Sequence, residues 1–102
     1  MIGQASGLTP QRHLLLVMIK GAPDGSERAT VTQLAKRLRL AQTTVTDLVR
    51  RAEHAGLIER EQSERDARVV ILRLSEEGER RLARSFRSLT AERERLRAVL
   101  VR

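Results

Sequence analysis

The hydrophobic pattern changes period twice along this chain, and that most constrains its fold. Up to Ala55 the apolar residues recur at helical spacing. From Leu57 to Leu74 they follow an extended pattern, and from Ser75 onward the helical spacing returns. Helices, then one short pair of strands, then a final helix leave no strands for a larger sheet. The fold class expected is therefore mainly α with a small β-hairpin.

Local signals set the boundaries. Thr9-Pro10 starts the first helix, with Thr9 as N-cap and Pro10 at the first helical position. Leu14–Ile19 is apolar on every side, so this helix should be buried, and Gly21 and Pro23 end it. Residues 21–29 read as a loop. A second helix starts after Val31 with Thr32 as N-cap; Leu34, Ala35 and Leu38 form its inner stripe while Lys36 and Arg37 face out. After a turn at Arg39–Gln42, a third helix runs from about Gln42 to Ala55 and stops at Gly56. The segments Leu57–Gln62 and Val69–Leu74 are extended, joined by the charged loop Ser63–Arg68. Ser75 caps the last helix, and Glu76, Glu77 and Glu79 suit its first turn.

The third helix carries the most informative pattern. Val45, Leu48, Val49 and Ala52 make one apolar stripe, and Thr43, Thr46, Asp47 and Arg50 fall at the same spacing on the opposite face. Such a helix can rest on a core and enter a major groove, where a Thr methyl meets a thymine methyl and Arg pairs with guanine. Gln42, Thr43 and Thr44 lie at its N-terminus, where free backbone amides favour a phosphate. Ala41 is a poor N-cap, at a cost of about 1 kcal/mol. Taken alone this is an ordinary solvated helix face. The short helix, turn and longer helix together match a helix-turn-helix. The hairpin tip then reads as a wing: Arg65 and Arg68 can enter a minor groove, and Asp66 can brace Arg68.

Composition narrows the function classes. The 102 residues hold 20 Lys and Arg against 13 Asp and Glu, a net +7 that favours a polyanionic partner. One domain of this size buries about two-thirds of its unfolded surface, which leaves little room for a deep substrate cavity. The absence of Cys excludes disulfides, thiolate nucleophiles and Cys-ligated zinc. A single aromatic, Phe86, argues against base-stacking modules. There is no paired-base nucleophile, metal-spaced cluster or glycine-rich phosphate loop, and His13 and His54 read as structural or solvated. The expectation is a non-enzyme without cofactor. With neither a membrane-length apolar run nor an export signal, the expected place is the cytoplasm.

Leu82, Phe86, Leu89, Arg93, Leu96 and Leu100 are spaced as a heptad seam interrupted at Arg93, with Val99 beside its end. A helix of about 25 residues is roughly 38 Å long, more than a small domain needs. The seam therefore predicts a homodimer through Leu82, Phe86, Leu89, Leu96, Val99 and Leu100. A break at Leu89-Thr90, with Thr90 capping a separate short helix, is the alternative.

These residues resemble a known family. Val31-Thr32-Gln33-Leu34-Ala35-Lys36-Arg37-Leu38, Thr43-Thr44-Val45-Thr46 and Val49–Ile58 are similar to the DNA-binding core of MarR-type winged-helix regulators. Asp66-Ala67-Arg68 resembles that family's Asp-x-Arg wing motif, and Leu74–Gly78 the opening of its C-terminal helix. Leu8-Thr9-Pro10-Gln11 also fits, so the resemblance spans about residues 8–82. It implies that residues 43–50 read the major groove and that Arg68 probes the minor groove. It also implies a homodimer, a palindromic operator and often repression relieved by a small ligand. The family has a further helix before the Leu-Thr-Pro-Gln segment, where this sequence has seven residues, so the chain reads as a short member. Its dimer would rest mainly on the last helix, which puts the usual ligand crevice in question.

The expected organisation is a flexible leader over 1–7, a winged helix-turn-helix domain over 8–74 and a dimerisation helix over 75–102. The expected DNA contacts are Thr32, Gln42, Thr43, Thr44, Thr46, Asp47, Arg50, Arg51, Arg65, Asp66 and Arg68. The function that follows is a homodimeric regulator, a repressor, on double-stranded DNA, with any small-molecule effector unknown. A protein-interaction module on a winged-helix scaffold and a non-specific DNA binder are the competing readings.

Overall fold

In the computed structural model, residues 8–100 are described, apart from the side chain of Leu100. The leader over 1–7 and the Leu100 contact expected above lie outside them. Three helices come first: α1 (Pro10–Lys20), α2 (Val31–Leu38) and α3 (Gln42–His54). The antiparallel strands β1 (Ile58–Gln62) and β2 (Val70–Leu74) follow, and then α4 (Glu76–Leu100). The expected mainly helical architecture with one hairpin is what the chain adopts.

Helices α1 to α3 and the hairpin close on a single core. Leu15, Leu16 and Ile19 of α1 meet Leu34 of α2, Val45, Val49 and Ala52 of α3, Leu57 just ahead of β1 and Leu72 of β2. Fully burying each larger side chain contributes about 1.5–3 kcal/mol. Thr9 caps α1 by accepting from the Arg12 amide, and Pro10 stands at its start. The helix is not buried all round, however, because Leu14 is 48% exposed. Helix α1 packs against α2, α3, β2 and α4, and the remaining strip with Gln11 and Leu14 is left to solvent.

Helix α2 corrects a second expectation. Its N-cap is Thr30, not Thr32. Thr30 Oγ1 accepts from the Gln33 amide at 3.1 Å while Gln33 Oε1 accepts from the Thr30 amide at 2.9 Å, a closed capping box. Thr32 is left exposed in the first turn. Arg37 also departs from its expected outward position. It lies half-buried, donating to the Met18 carbonyl at 2.7 Å and so fastening α2 to the end of α1.

The hairpin pairs Ile58 with Leu74 and Gln62 with Val70. It gains a third partner that local sequence does not announce: Ala29 exchanges backbone hydrogen bonds of 2.8 and 3.1 Å with Leu72. The loop before α2 is thereby stitched to the wing.

Helix α4 is hooked to the hairpin root. The Ser75 amide donates to the Leu57 carbonyl and the Ser75 hydroxyl to the Gly56 carbonyl, while that hydroxyl accepts from the Gly78 amide as the cap. Gly78 lies flat on Leu57, so that any Cβ there would collide with the Leu57 carbonyl oxygen. Lys20 Nζ adds ion pairs of 2.8 Å to Glu79 and 3.0 Å to Glu27, and the hydrogen bond to Glu79 is the main reason its ammonium is held above the usual lysine range.

Helix α4 runs unbroken through Leu89-Thr90. Thr90 Oγ1 donates back to the Phe86 carbonyl at 3.0 Å instead of capping a new helix. The helix stretches the molecule to 57 × 25 × 24 Å. Its first apolar residue corrects the proposed seam. Leu82 is only 2% exposed, inside the core of its own chain, so it has no surface left for a second copy.

Candidate nucleic-acid interface

Helices α2 and α3 are joined by the turn Arg39–Ala41, made possible by Arg39 in the left-handed region at φ 57°. Val45, Val49 and Ala52 are fully buried and fix the roll of α3 against the core. That roll leaves Gln42, Thr43, Thr44, Arg50 and Arg51 exposed, with Thr46 and Asp47 half-exposed beside them.

The start of α3 is bare. Ala41 has N-cap geometry, φ −64° and ψ 147°, but supplies no side-chain hydrogen bond. Val45 is the first amide to close a helical bond, to the Ala41 carbonyl at 3.1 Å. The amides of Gln42, Thr43 and Thr44 precede that ladder and point out of the helix end. Neither Thr43 nor Thr44 stands in for the missing cap. Gln42 Nε2 instead donates to Thr32 Oγ1 at 3.2 Å, which ties the starts of the two helices together. Asp47 forms an ion pair with Arg51 one turn on, at 3.0 Å. That pair tempers the repulsion a lone carboxylate would exert on a phosphate.

At the hairpin tip, Asp66 accepts from the Arg68 amide at 3.0 Å and from its guanidinium at 3.1 and 3.2 Å. These bonds, the side-chain ones foremost, hold the Asp66 carboxyl below its ordinary value of 3.8. The Arg68 side chain nonetheless stays 90% exposed, oriented from behind and open in front. Arg65 is exposed nearby, its amide donating to Ser63 Oγ at 3.2 Å.

Two contacts at the wing root escaped the sequence reading. Arg60 Nε donates to both carboxylate oxygens of Glu53, at 2.9 and 2.8 Å, fixing β1 to the last turn of α3. Arg28 Nε lies 2.6 Å from Glu61 and holds the loop before α2 to the same strand. Opposite charges on either side of Gly56 hinted at the first; nothing local signals the second.

Among the described residues no group of His, Cys, Asp or Glu is placed to hold a metal ion. His13 lies edge-on to Phe86, with ring centroids 6.3 Å apart, and His54 is exposed at the end of α3. Along α4, Leu89 is half-buried, whereas Phe86, Leu96 and Val99 are 46%, 62% and 70% exposed.

Three helices, a turn-linked helix pair and a braced two-stranded wing define a winged helix-turn-helix protein. The profile of the MarR family matches residues 6–69, and the chain belongs to that family. The organic hydroperoxide resistance transcriptional regulator of Bacillus subtilis (strain 168) is 40% identical over 52 residues. That match takes in 51% of this chain and 35% of the regulator, so the chain spans about a third of that relative. Among solved structures, a MepR mutant from S. aureus bound to an oligodeoxyribonucleotide superposes with a TM-score of 0.83 at 20% identity, over 95% of this chain and 69% of that one. A MarR mutant from E. coli complexed with operator DNA gives a TM-score of 0.73 at 20% identity, over 84% and 61%. At these identities the likeness is one of fold.

Proposed function

We propose that this chain is a sequence-specific DNA-binding regulator, a repressor, that works as a homodimer on a palindromic operator in the cytoplasm. The observation that carries this reading is the build of α3, sealed on one side by Val45, Val49 and Ala52 and presenting Gln42, Thr43, Thr44 and Arg50 on the other. Thr46 and Asp47 would read bases, the latter accepting from a cytosine amino group. Arg50 would pair with guanine on the same face, and the free amides at the helix start, with Thr32 and Arg51, would hold the phosphate backbone. Arg68, aimed by Asp66, would enter the minor groove, with Arg65 alongside. The net charge of +7 and the DNA-bound state of the MepR and MarR relatives support the reading.

The homodimer rests on α4. Leu96 and Val99 stand on its outer half with most of their surface in water, and Phe86 and Leu89 continue the same face towards the winged domain. A second copy would cover them. The unit over 8–74 would then serve DNA and the helix over 75–102 the partner. Two recognition helices about 34 Å apart would meet half-sites one helical turn apart.

The test is a binding selection on genomic fragments at two salt concentrations. A palindromic motif with steep salt dependence is expected, because phosphate contacts release counterions. Salt-sensitive binding without a motif would reduce the reading to a non-specific DNA binder. No binding at either salt would replace it with a protein-interaction module.

A further inference from the structure

The first half of α4 carries a face of positive charge that neither the core nor α3 uses. Gly78, Leu82 and Ser85 are buried and mark the inward side of the helix. Arg80, Arg84 and Arg87 recur at i, i+4 and i+7 on the opposite side, all exposed, over about 10 Å of helix. Ala83 and Ala91 are exposed beside them, so no large apolar side chain stands among the guanidiniums. Phe86 and Leu89 lie on another side of the helix, and a second copy covering them leaves the arginines open.

These charges are not consumed within the chain. Among the described residues Arg84 and Arg87 have no ion-pair partner. Arg80 lies 3.4 Å from Glu77, yet its side chain stays 62% exposed. Like charges at i, i+3 and i+4 repel, so the arrangement works against the helix that carries it.

The chemistry of the face selects its partner. A protein interface needs a buried apolar anchor. A helix lying in a bilayer surface needs an apolar side to insert. A phosphate backbone needs only charge and forked donors, which guanidiniums supply. The position of the face points to a separate duplex. Helix α4 starts at the hairpin root, and the five residues of β2, roughly 17 Å, separate it from the tip that holds Arg68. Helix α1 packs against both α3 and α4, and each of the two turns its charged side away from the shared core.

We propose that Arg80, Arg84 and Arg87 form a second DNA surface, which takes the backbone of a duplex other than the one on α3 and the wing and reads no sequence. The chain would then bridge two duplexes. Binding by this face stands on α4 alone, and the bridging rests on the DNA-binding reading above.

The experiment loads the full chain onto beads that carry one duplex and measures capture of a second, fluorescent duplex of random sequence. Wild type should capture it at low salt and release it as salt rises. Arg84→Gln/Arg87→Gln should load equally and capture about tenfold less, the loss expected from two charges near a phosphate. Arg84→Lys/Arg87→Lys should retain capture, and so should Arg12→Gln/Lys36→Gln, which removes the same charge elsewhere. Equal loss from Arg12→Gln/Lys36→Gln and Arg84→Gln/Arg87→Gln would overturn the face by showing diffuse attraction to a basic chain. Unchanged capture by Arg84→Gln/Arg87→Gln would overturn the bridging. Phosphatidylserine vesicles that lose binding to Arg84→Gln/Arg87→Gln while duplex capture persists would give the face to a membrane instead. A parallel anisotropy measurement with one duplex separates the two surfaces. Arg50→Gln/Arg68→Gln should weaken binding, and adding Arg84→Gln/Arg87→Gln should weaken it about tenfold further. If Arg50→Gln/Arg68→Gln alone leaves affinity unchanged, the regulator reading fails, while a loss on adding the α4 substitutions would still support this face. A chain that binds no duplex would overturn both.

Discussion

The missing cap on α3 offers a test that separates stability from function. In Ala41→Asp the residue already has N-cap backbone geometry and is exposed, so the new side chain enters without strain. Its carboxylate reaches the amides of Thr43 and Thr44, which have no helical partner. A cap contributes about 1 kcal/mol. The negative charge at the positive end of the helix adds about 0.5 kcal/mol. For a chain near 100 residues, about 1.5 kcal/mol raises Tm by roughly 6–12 °C. Binding should move the other way, because the amides proposed to hold a phosphate are now occupied beside a like charge. Thermal unfolding by circular dichroism gives the first quantity. Fluorescence anisotropy with a 30-base-pair duplex over a salt series gives the second. Affinity should fall at least tenfold, and the slope of log K against log salt should shrink by about 0.9, the value for one phosphate that is no longer neutralised. Ala41→Ser, a cap without charge, should share the rise in Tm and lose less affinity. A higher Tm with unchanged affinity and slope would refute the phosphate role of this helix end. An unchanged Tm would refute the claim that these amides are unsatisfied.

Four further outcomes follow from the same geometry. Gly78→Ala must push α4 off the Leu57 carbonyl, an overpacking cost of about 1–3 kcal/mol, and unfolding in urea should show it as a lower midpoint with unchanged m. Arg68→Ala should weaken binding most on duplexes with A·T-rich flanks, and equal loss on G·C-rich flanks would count against a minor-groove role. Leu96→Glu should turn a dimer into a monomer in light scattering, a result that an unchanged mass would contradict. The Asp66 carboxyl is depressed by Arg68, so its contribution to the folded wing is complete above its ordinary value of 3.8 and is lost as pH falls through the lower folded value. A carbon-13 titration of that carboxyl should place its midpoint below 3.8, and a midpoint at or above it would remove the brace.

How much could be read in advance depended on how far apart the interacting residues lie. Thr9-Pro10, Ser75 and the stripe Val45–Val49–Ala52 act within a turn or two, so residue order alone locates them. The cap of α2 was equally local, since Thr30 and Gln33 spell a capping box in the sequence. Thr32 has no such reciprocal partner three residues on, where Ala35 stands. The Ala29–Leu72 bridge and the Arg28–Glu61 pair join segments more than thirty residues apart, and no local pattern points to either. Gly78 shows a third case: the sequence supplied the glycine, but only the folded backbone supplies the Leu57 carbonyl it must accommodate. The seam on α4 is the most instructive. Leu82 and Leu96 share one heptad register, yet Leu82 is sealed in its own chain and Leu96 stands in water. Periodicity names the face of a helix that will be covered, not what covers it. On α4 that changes along the helix, because the winged domain reaches Leu82 and does not cover Leu96.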